Sequence, residues 1–315
     1  MDAAADSGLH NKFIQQSSKP GKLAFFERVI QMLSQKVDEI IQSVTSLRPM
    51  PSNITRILKQ MENPDITIDM LVGLVSLDQA LTALVLQMSN SVSLGYSRSC
   101  TTLYESIMYI GMKRLKSILL TSSATDMMNK KLNGYRFGAG ELWHHALVTS
   151  VCAEWLAQGL RYPNPEEAFV SGMLHDIGKL LLDQYVFRNY DTITDWVHHY
   201  KLPLWQVEEK LFGINHAQVG GLIARRWNYP QALVDAIQCH HNPSLSTAHN
   251  QLSAIVNVAN SFASEYTSAK SDLFSFEIHP ETYNILKLSP EEIVKLKGKL
   301  MSSGRLPSTN KTNPA

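Results

Sequence analysis

The stretch Leu174-His175-Asp176-Ile177-Gly178-Lys179 places an imidazole and a carboxylate in adjacent positions. Such a pair offers one nitrogen and one oxygen ligand to a divalent cation. Gly172 and Gly178 bracket the pair, and glycine lets a second backbone segment approach closely, which suits a crowded site. The stretch predicts a metal site. The alternative is a dipeptide that merely ends a helical turn before a surface lysine.

Further side chains with metal-binding atoms lie in the second half of the chain. They are His145, His216, His240, His241 and Asn260. His145 lies three residues after Leu142 and three before Val148, so helical periodicity places it on the apolar stripe that faces the core. The others are also expected to face inward, and a bundle core is where facing helices build metal sites. Asn260 is the weakest of these ligands, because an amide oxygen is a poor donor to a metal and lacks the charge of a carboxylate.

Each of these residues has a second interpretation. A single inward histidine is more often a core side chain hydrogen-bonded to a carbonyl than a metal ligand. His144 competes with His145, because it lies near Leu147 and Val151, and periodicity does not choose between the two. Lys179 is either a cation that holds a phosphate oxygen near the metal or a solvated lysine.

The helical pattern predicts an all-α chain. Apolar residues recur at intervals of three and four, as at positions 54, 57, 58 and 61, and no segment has a sustained strand alternation. Asp78 is expected to cap a helix over 79–90, and Ser289 to open the last helix. Pro165 is expected in the first turn of a single helix over 165–184.

Breaks in this pattern suggest how the chain is divided. The clearest boundary is Asn133-Gly134-Tyr135-Arg136-Phe137-Gly138, and no internal repeat is visible. We predict disordered tails over 1–21 and 303–315, an N-terminal helical half over 22–132, a second helical half over 138–266 and appended C-terminal helices over 280–302.

Composition limits the class of protein. The 315 residues are 44% hydrophobic and carry a formal net charge of +1, which gives no electrostatic grip on nucleic acid. Three cysteines without C-x-x-C spacing favour a reducing compartment. Neither a signal peptide nor an apolar stretch of membrane-spanning length is visible. We expect a soluble cytoplasmic protein with no nucleic-acid or membrane partner.

The order of motifs in the second half resembles the HD superfamily of metal-dependent phosphohydrolases. The extra histidines resemble its HD-GYP branch, which hydrolyses cyclic dinucleotides at a two- or three-metal site. The matching stretches are Trp143-His144-His145, Leu174-His175-Asp176-Ile177-Gly178-Lys179, His216-Ala217-Gln218-Val219-Gly220 and Ile237-Gln238-Cys239-His240-His241. Asn260 falls where that family has its final aspartate, and residues 242–245 lack the Gly-Tyr-Pro loop of the cyclic-dinucleotide enzymes.

The N-terminal half resembles the HDOD domain, an HD-related all-helical module of bacterial signalling and regulatory proteins. The matching stretches are Leu47-Arg48-Pro49-Met50-Pro51, Asn63-Pro64-Asp65, Ser76-Leu77-Asp78-Gln79-Ala80-Leu81, Ser89-Asn90-Ser91 and Ile110-Gly111-Met112-Lys113-Arg114-Leu115. The resemblance covers residues 45–262 and implies a multi-helix bundle. In such a bundle an HD-like C-terminal half packs on an N-terminal helical half.

The resemblance also implies a site that holds one or two divalent metal ions. The implied metal ligands are His145, His175, Asp176, His216, His240, His241 and Asn260, and the implied catalytic residues are Asp176 and Lys179. Imidazole and carboxylate ligands accept iron, manganese, nickel or zinc, so the identity of the metal stays open.

Three functions fit these motifs. The first is a bacterial signalling module that binds metal without efficient turnover and acts through a protein partner on a separate chain. The second is a metal-dependent phosphohydrolase or phosphodiesterase with a nucleotide, cyclic dinucleotide or phosphate ligand. The third is a vestigial site whose polar groups only hydrogen-bond one another. We favour the first, because Asn260 cannot neutralise the charge of a metal as a carboxylate would.

Overall fold

The computed structural model describes residues 36–90, 100–267 and 277–307. Within these ranges the regular elements are helices, and an antiparallel bridge between Leu132 and Phe137 stands isolated. The prediction of an all-α fold is therefore confirmed. The predicted tail over 1–21 lies outside the described residues, as do residues 308–315 of the predicted C-terminal tail.

Helices make up most of the described residues. The N-terminal helices are α1 (36–46), α2 (Ser52–Gln60), α3 (Ile68–Val75), α4 (Gln79–Ser89) and α5 (Leu103–Met128). The next helices are α6 (Glu141–Gly159), α7 (Pro165–Leu174), α8 (Lys179–Arg188), α9 (Tyr190–His199), α10 (Leu204–Phe212), α11 (His216–Arg226), α12 (Gln231–Cys239) and α13 (Asn250–Tyr266). The C-terminal helices are α14 (Pro280–Leu286) and α15 (Pro290–Met301).

Two of the predicted helix starts have the expected caps. The Asp78 side chain accepts a hydrogen bond of 3.0 Å from the Leu81 backbone N–H and begins α4. Ser289 and Glu292 form a reciprocal capping box at the start of α15. These side chains satisfy N–H groups that the first turn of a helix leaves without a partner. Both starts are confirmed.

The prediction of one helix over 165–184 is wrong. Helix α7 ends at Leu174, a turn occupies residues 175–178, and α8 begins at Lys179. The turn is tightened by bonds between residues three apart, such as Lys179 N–H to Asp176 O at 3.0 Å. A Cβ added at Gly178 would lie 1.9 Å from the His216 carbonyl oxygen, so the turn packs directly against the start of α11. This contact interrupts the helix at the His-Asp pair.

The loop between α5 and α6 is fixed by one carboxylate. Asp183 on α8 accepts hydrogen bonds from the backbone N–H groups of Asn133, Gly134 and Tyr135 at 3.1, 2.8 and 3.2 Å. A Cβ added at Gly134 would lie 2.2 Å from the Asp183 carbonyl oxygen, which leaves room only for glycine. The loop thereby inserts the fully buried Tyr135 into the interior.

Two apolar clusters form the interior. The larger one joins helices from both sides of the loop that follows α5, for example through Ile57, Leu115 and Leu174. The smaller one packs α6 and α13 against the C-terminal helices through residues such as Phe262 and Ile293. The C-terminal helices therefore cover α13. The boundaries of the predicted halves stay a prediction.

The described residues contain no helix that is both long and apolar enough to cross a membrane. Cys100, Cys152 and Cys239 are buried and unpaired. Burial raises the pKa of the Cys239 thiol to about 11, and it raises the pKa of Cys152 further. Cys152 and Cys239 are therefore protonated at neutral pH. A cytoplasmic location stays a prediction.

Replacing Asp183 with alanine is expected to destabilise the protein by about 2 kcal/mol, because three backbone donors would lose a charged acceptor. Urea denaturation followed by circular dichroism measures this change. Asp195→Ala, on an exposed position of α9, is the matched control and should leave the free energy of unfolding nearly unchanged. Equal stability of the two variants would contradict the role given to Asp183.

Candidate metal centre

The His-Asp pair lies in the interior because two glycines allow close helix packing. His175 caps the end of α7 and Asp176 begins the following turn, and both are fully buried. A Cβ added at Gly172 would lie 2.8 Å from the Ser150 α-carbon, so α7 packs closely against α6. This packing and the Gly178 contact agree with the prediction that both glycines let a second backbone segment approach closely.

The first group of candidate ligands is His145, His175 and Asp176. Their potential ligand atoms lie within 4.8 Å of one another, and all three residues are buried. Asp176 Oδ2 is 3.3 Å from His175 Nε2 and 3.7 Å from His145 Nε2. Of the two neighbouring histidines that periodicity could not separate, His145 belongs to this group and His144 does not. We call these three residues the first triad.

The second group is His216, His240 and His241, which also lie within 4.8 Å of one another and form the second triad. Asp176 Oδ1 is 3.3 Å from His216 Nε2, while Oδ2 faces the first triad. The rings of His175 and His240 are 5.0 Å apart between centroids. The two triads are thus one continuous cluster with Asp176 between them.

The imidazoles are oriented by hydrogen bonds on their far side. His175 Nδ1 donates to Gly172 O, and His240 Nδ1 donates to Ile237 O, both at 2.8 Å. Because a carbonyl oxygen only accepts, Nδ1 carries the proton, and the lone pair of Nε2 points into the cluster. Both Nε2 atoms are buried and have no hydrogen-bond partner.

Such unpaired lone pairs are unfavourable in a protein interior unless an external group satisfies them. The Nε2 lone pairs of His175 and His240, one in each triad and close to an ionised carboxylate, are donors that a divalent cation satisfies. The residues of both triads therefore fit a metal ion.

The ionisation states suit metal binding. Burial, with His175 nearby, lowers the pKa of His145 to about 3, and burial also lowers the pKa values of His240 and His241 well below their usual range. Burial alone would raise the pKa of Asp176, but His175 and Lys179 outweigh that effect, and the pKa is lowered well below its ordinary value. At neutral pH these groups are neutral imidazoles and an anionic carboxylate.

Lys179 is not a solvated lysine, so that alternative is wrong. Its side chain is buried, and Nζ lies 2.6 Å from Asp176 Oδ2. The ammonium group is also 5.6 Å and 5.8 Å from the ring centroids of Tyr135 and Phe137. Lys179 thus offsets the charge of Asp176 within an aromatic enclosure. A contact with a phosphate oxygen stays a prediction.

Asn260 lies beside the first triad. Its Oδ1 atom is 3.0 Å from His145 Nε2, and Ser264 Oγ donates to the same oxygen at 3.3 Å. All seven predicted ligands are therefore brought to one place. Five of them are buried, and only His241 and Asn260 are half-buried, so the cluster approaches solvent on that side.

Sequence reasoning missed three residues that contact the cluster. Glu208 is fully buried, and its Oε2 accepts from His216 N–H at 2.8 Å and from His216 Nδ1 at 2.6 Å. Tyr135 Oη donates to Glu208 Oε1 at 2.7 Å. The Trp205 ring stacks on His241 at 5.7 Å between centroids and an interplanar angle of 13°.

A signal for Glu208 exists in the sequence. This carboxylate lies four residues after Leu204 and four before Phe212, on the apolar face of α10, where an unpaired charge is rare. Apolar neighbours alone cannot stabilise a buried carboxylate, so a polar partner was to be expected. Nothing local identifies that partner as His216.

A family profile and several solved structures match more than half of this chain. The profile of the HDOD domain matches residues 47–243. An uncharacterized protein of Treponema pallidum (strain Nichols) is 24% identical over 234 residues, which are 72% of this chain and 43% of that protein. The chain therefore spans less than half the length of this curated relative.

Solved structures share the fold. An HDOD domain protein with unknown function from Geobacter sulfurreducens is 25% identical, with a TM-score of 0.66 and coverage of 87% of this chain and 95% of that one. A protein from Shewanella amazonensis SB2B, named as a candidate phosphohydrolase, is 23% identical, with a TM-score of 0.66 and coverage of 85% and 94%.

Gly178→Ala is expected to destabilise the protein by about 3 kcal/mol, because the added Cβ would overlap the His216 carbonyl and separate the two triads. Thermal and urea denaturation measure the loss. Gly73→Ala in α3 is the control: its Cβ would meet no atom within 4 Å, so alanine should stabilise the helix by about 0.5–1 kcal/mol. A neutral effect of Gly178→Ala would refute the close packing of the turn.

Proposed function

Because the chain belongs to the HDOD domain family, we propose that it is a regulatory module that binds divalent metal in its histidine cluster without efficient turnover of a substrate. The observation that carries this proposal is the pair of buried Nε2 atoms of His175 and His240, which have no hydrogen-bond partner and point into the cluster. Within the described residues no protein group satisfies these two atoms, and a bound metal ion would do so. The module would act through a protein partner on a separate chain.

The two triads offer different environments to a metal. With two ions bound, the first triad would hold one and the second triad the other. With a single ion bound, the second triad would hold it. When bound, a divalent ion polarises a ligand oxygen and lowers the pKa of a bound water. Imidazole and carboxylate ligands are compatible with iron, manganese, nickel and zinc.

Charge balance supports binding rather than hydrolysis. The Asp176 carboxylate is already paired with Lys179, and Asn260 adds no charge to the first triad. The second triad has the Glu208 carboxylate behind His216, which increases the basicity of that ring. An ion is therefore held more firmly by the second triad. The burial of the ligands also limits the approach of a substrate as large as a cyclic dinucleotide.

A metal-dependent phosphohydrolase is the second candidate. One observation favours it: Asp176 directs one oxygen toward each triad, as a carboxylate shared by two metal ions does. In this function Asp176 would orient the reacting groups, and Lys179 would steady a phosphate oxygen of a nucleotide or cyclic dinucleotide. The candidate phosphohydrolase from Shewanella amazonensis SB2B has the same fold.

Protein purified without a histidine tag is expected to contain at least one equivalent of a transition metal by elemental analysis. His240→Ala should lose it, and Glu208→Gln should weaken metal affinity about 10- to 100-fold. Since Trp205 stacks on His241, titration with nickel should quench its fluorescence, and Trp205→Phe supplies the baseline. His199→Ala, an exposed histidine of α9, should behave as wild type.

The contrary outcome is simple to recognise. If the wild-type protein contains no stoichiometric metal and binds none on titration, the site is vestigial and the proposed function fails. If His199→Ala loses metal as His240→Ala does, the ion sits elsewhere.

Hydrolysis separates the two candidates. With manganese or iron supplied, we expect no release of phosphate or linear product from nucleotides and cyclic dinucleotides above the level of Asp176→Ala. Asn260→Asp should strengthen metal binding at the first triad about tenfold, because it restores a carboxylate next to His145. Turnover by the wild type that Asp176→Ala abolishes would overturn the binding function and establish the phosphohydrolase.

A further inference from the structure

A buried amide connects the histidine cluster to the C-terminal helices. The Asn257 side chain on α13 is 4% exposed, and its Nδ2 atom donates to the His240 backbone carbonyl at 2.8 Å. Its Oδ1 atom accepts from His279 N–H at 3.0 Å and from Thr282 Oγ1 at 2.8 Å. One side chain thus bonds to a candidate metal ligand on one side and to the start of α14 on the other.

The start of α14 depends on this amide. His279 is the N-cap residue, and its backbone N–H has Asn257 Oδ1 as its acceptor. Thr282, in the first turn, is fully buried, so its hydroxyl needs a partner, and Asn257 provides one. Undocking of α14 would leave the Asn257 oxygen and the Thr282 hydroxyl without these bonds.

On the other side, Asn257 restrains the position of His240. The His240 ring is oriented by its Nδ1 bond to Ile237 O, and its peptide carbonyl is held by Asn257 Nδ2. The ring centroid of His240 lies 4.1 Å from that of His241 and 5.0 Å from that of His175. A shift of this one residue therefore alters the contact between both triads.

Helix α13 contacts both triads through side chains that lie one turn apart. Asn257 holds His240, and Asn260 contacts His145. Positions three apart lie on the same face of a helix. Both residues lie beyond residue 243, where the match to the HDOD domain ends. The segment that follows the matched range therefore adds contacts to the cluster.

We propose that Asn257 is a positioning residue that couples docking of α14 and α15 to metal binding at His240. The proposal rests on the proposed function, because it requires metal in the cluster. Coupling is reciprocal: if docked C-terminal helices increase metal affinity, bound metal strengthens their docking by the same factor. A change that loosens these helices then weakens metal binding, which gives the module a regulated input remote from the ligands.

Two variants separate the two ends of the link. Asn257→Asp keeps an oxygen that can accept from His279 and Thr282, but it removes the donor to the His240 carbonyl. Thr282→Val keeps the shape of the side chain and removes the hydroxyl on the α14 side. The matched control is Asn284→Asp, the same chemical change at an exposed position of α14.

Metal affinity and the visible absorption of bound cobalt(II) form the first measurement. Asn257→Asp should raise the dissociation constant for cobalt(II) about 10- to 100-fold and change the absorption spectrum. The reason is that the His240 ring would lose the orientation it needs to bind the ion. A merely structural asparagine would lower the melting temperature and leave the spectrum of the folded, metal-loaded protein unchanged. Asn284→Asp should match the wild type in both.

Hydrogen exchange of residues 280–286 by mass spectrometry forms the second measurement. In the wild type, cobalt(II) should slow exchange in this helix. Thr282→Val should speed exchange without metal and should weaken cobalt(II) binding. In Asn257→Asp the metal should no longer change the exchange of this helix. If Asn257→Asp does not fold by circular dichroism, Thr282→Val alone decides the question.

The outcomes distinguish this proposal from the function on which it rests. Wild-type protein that binds no metal overturns both. Wild-type protein that binds metal, with unchanged affinity and spectrum in Asn257→Asp and unchanged affinity in Thr282→Val, overturns only the coupling. The coupling is also overturned if cobalt(II) does not change the hydrogen exchange of residues 280–286 in the wild type.

Discussion

A fully buried carboxylate controls the arrangement of the helices in the second half of the chain. An ionised aspartate in the interior is costly unless charged and polar partners surround it. Asp176 obtains Lys179 as a cation and imidazoles from separate segments as neighbours, including His145 from α6 and His216 from α11. The end of α7 and the start of α11 meet at this point, where His175 and His216 lie beside the same anion.

This convergence requires close backbone contacts and a complete set of outer hydrogen bonds. Gly178 lets the turn touch the carbonyl of His216, and no larger residue fits there. Behind the ligands, Glu208 orients His216, and carbonyl groups orient His175 and His240. The cluster is therefore preorganised for an ion, with lone pairs directed inward before any ion binds.

The charges around the cluster bear on its function. Within the described residues, the first triad has one carboxylate, and Lys179 already pairs with it. The position that resembles the final aspartate of the phosphohydrolases is the neutral Asn260. The second triad has Glu208 behind it as a further negative charge. This imbalance is the basis on which we propose metal binding rather than hydrolysis, and the position of Asp176 between the triads keeps the hydrolase as the competing function.

The sequence by itself determined the helical class, the caps at Asp78 and Ser289 and the types of ligand, because periodicity and capping are local properties. It left the choice between His144 and His145 open and extended one helix through the His-Asp pair. Those points were decided by contacts between distant segments, such as the turn at Gly178 against His216. The same holds for Lys179, whose burial follows from the loop that inserts Tyr135. The spacing of apolar residues indicates which face of a helix is buried. Only the packing of the helices shows which side chains that face contacts.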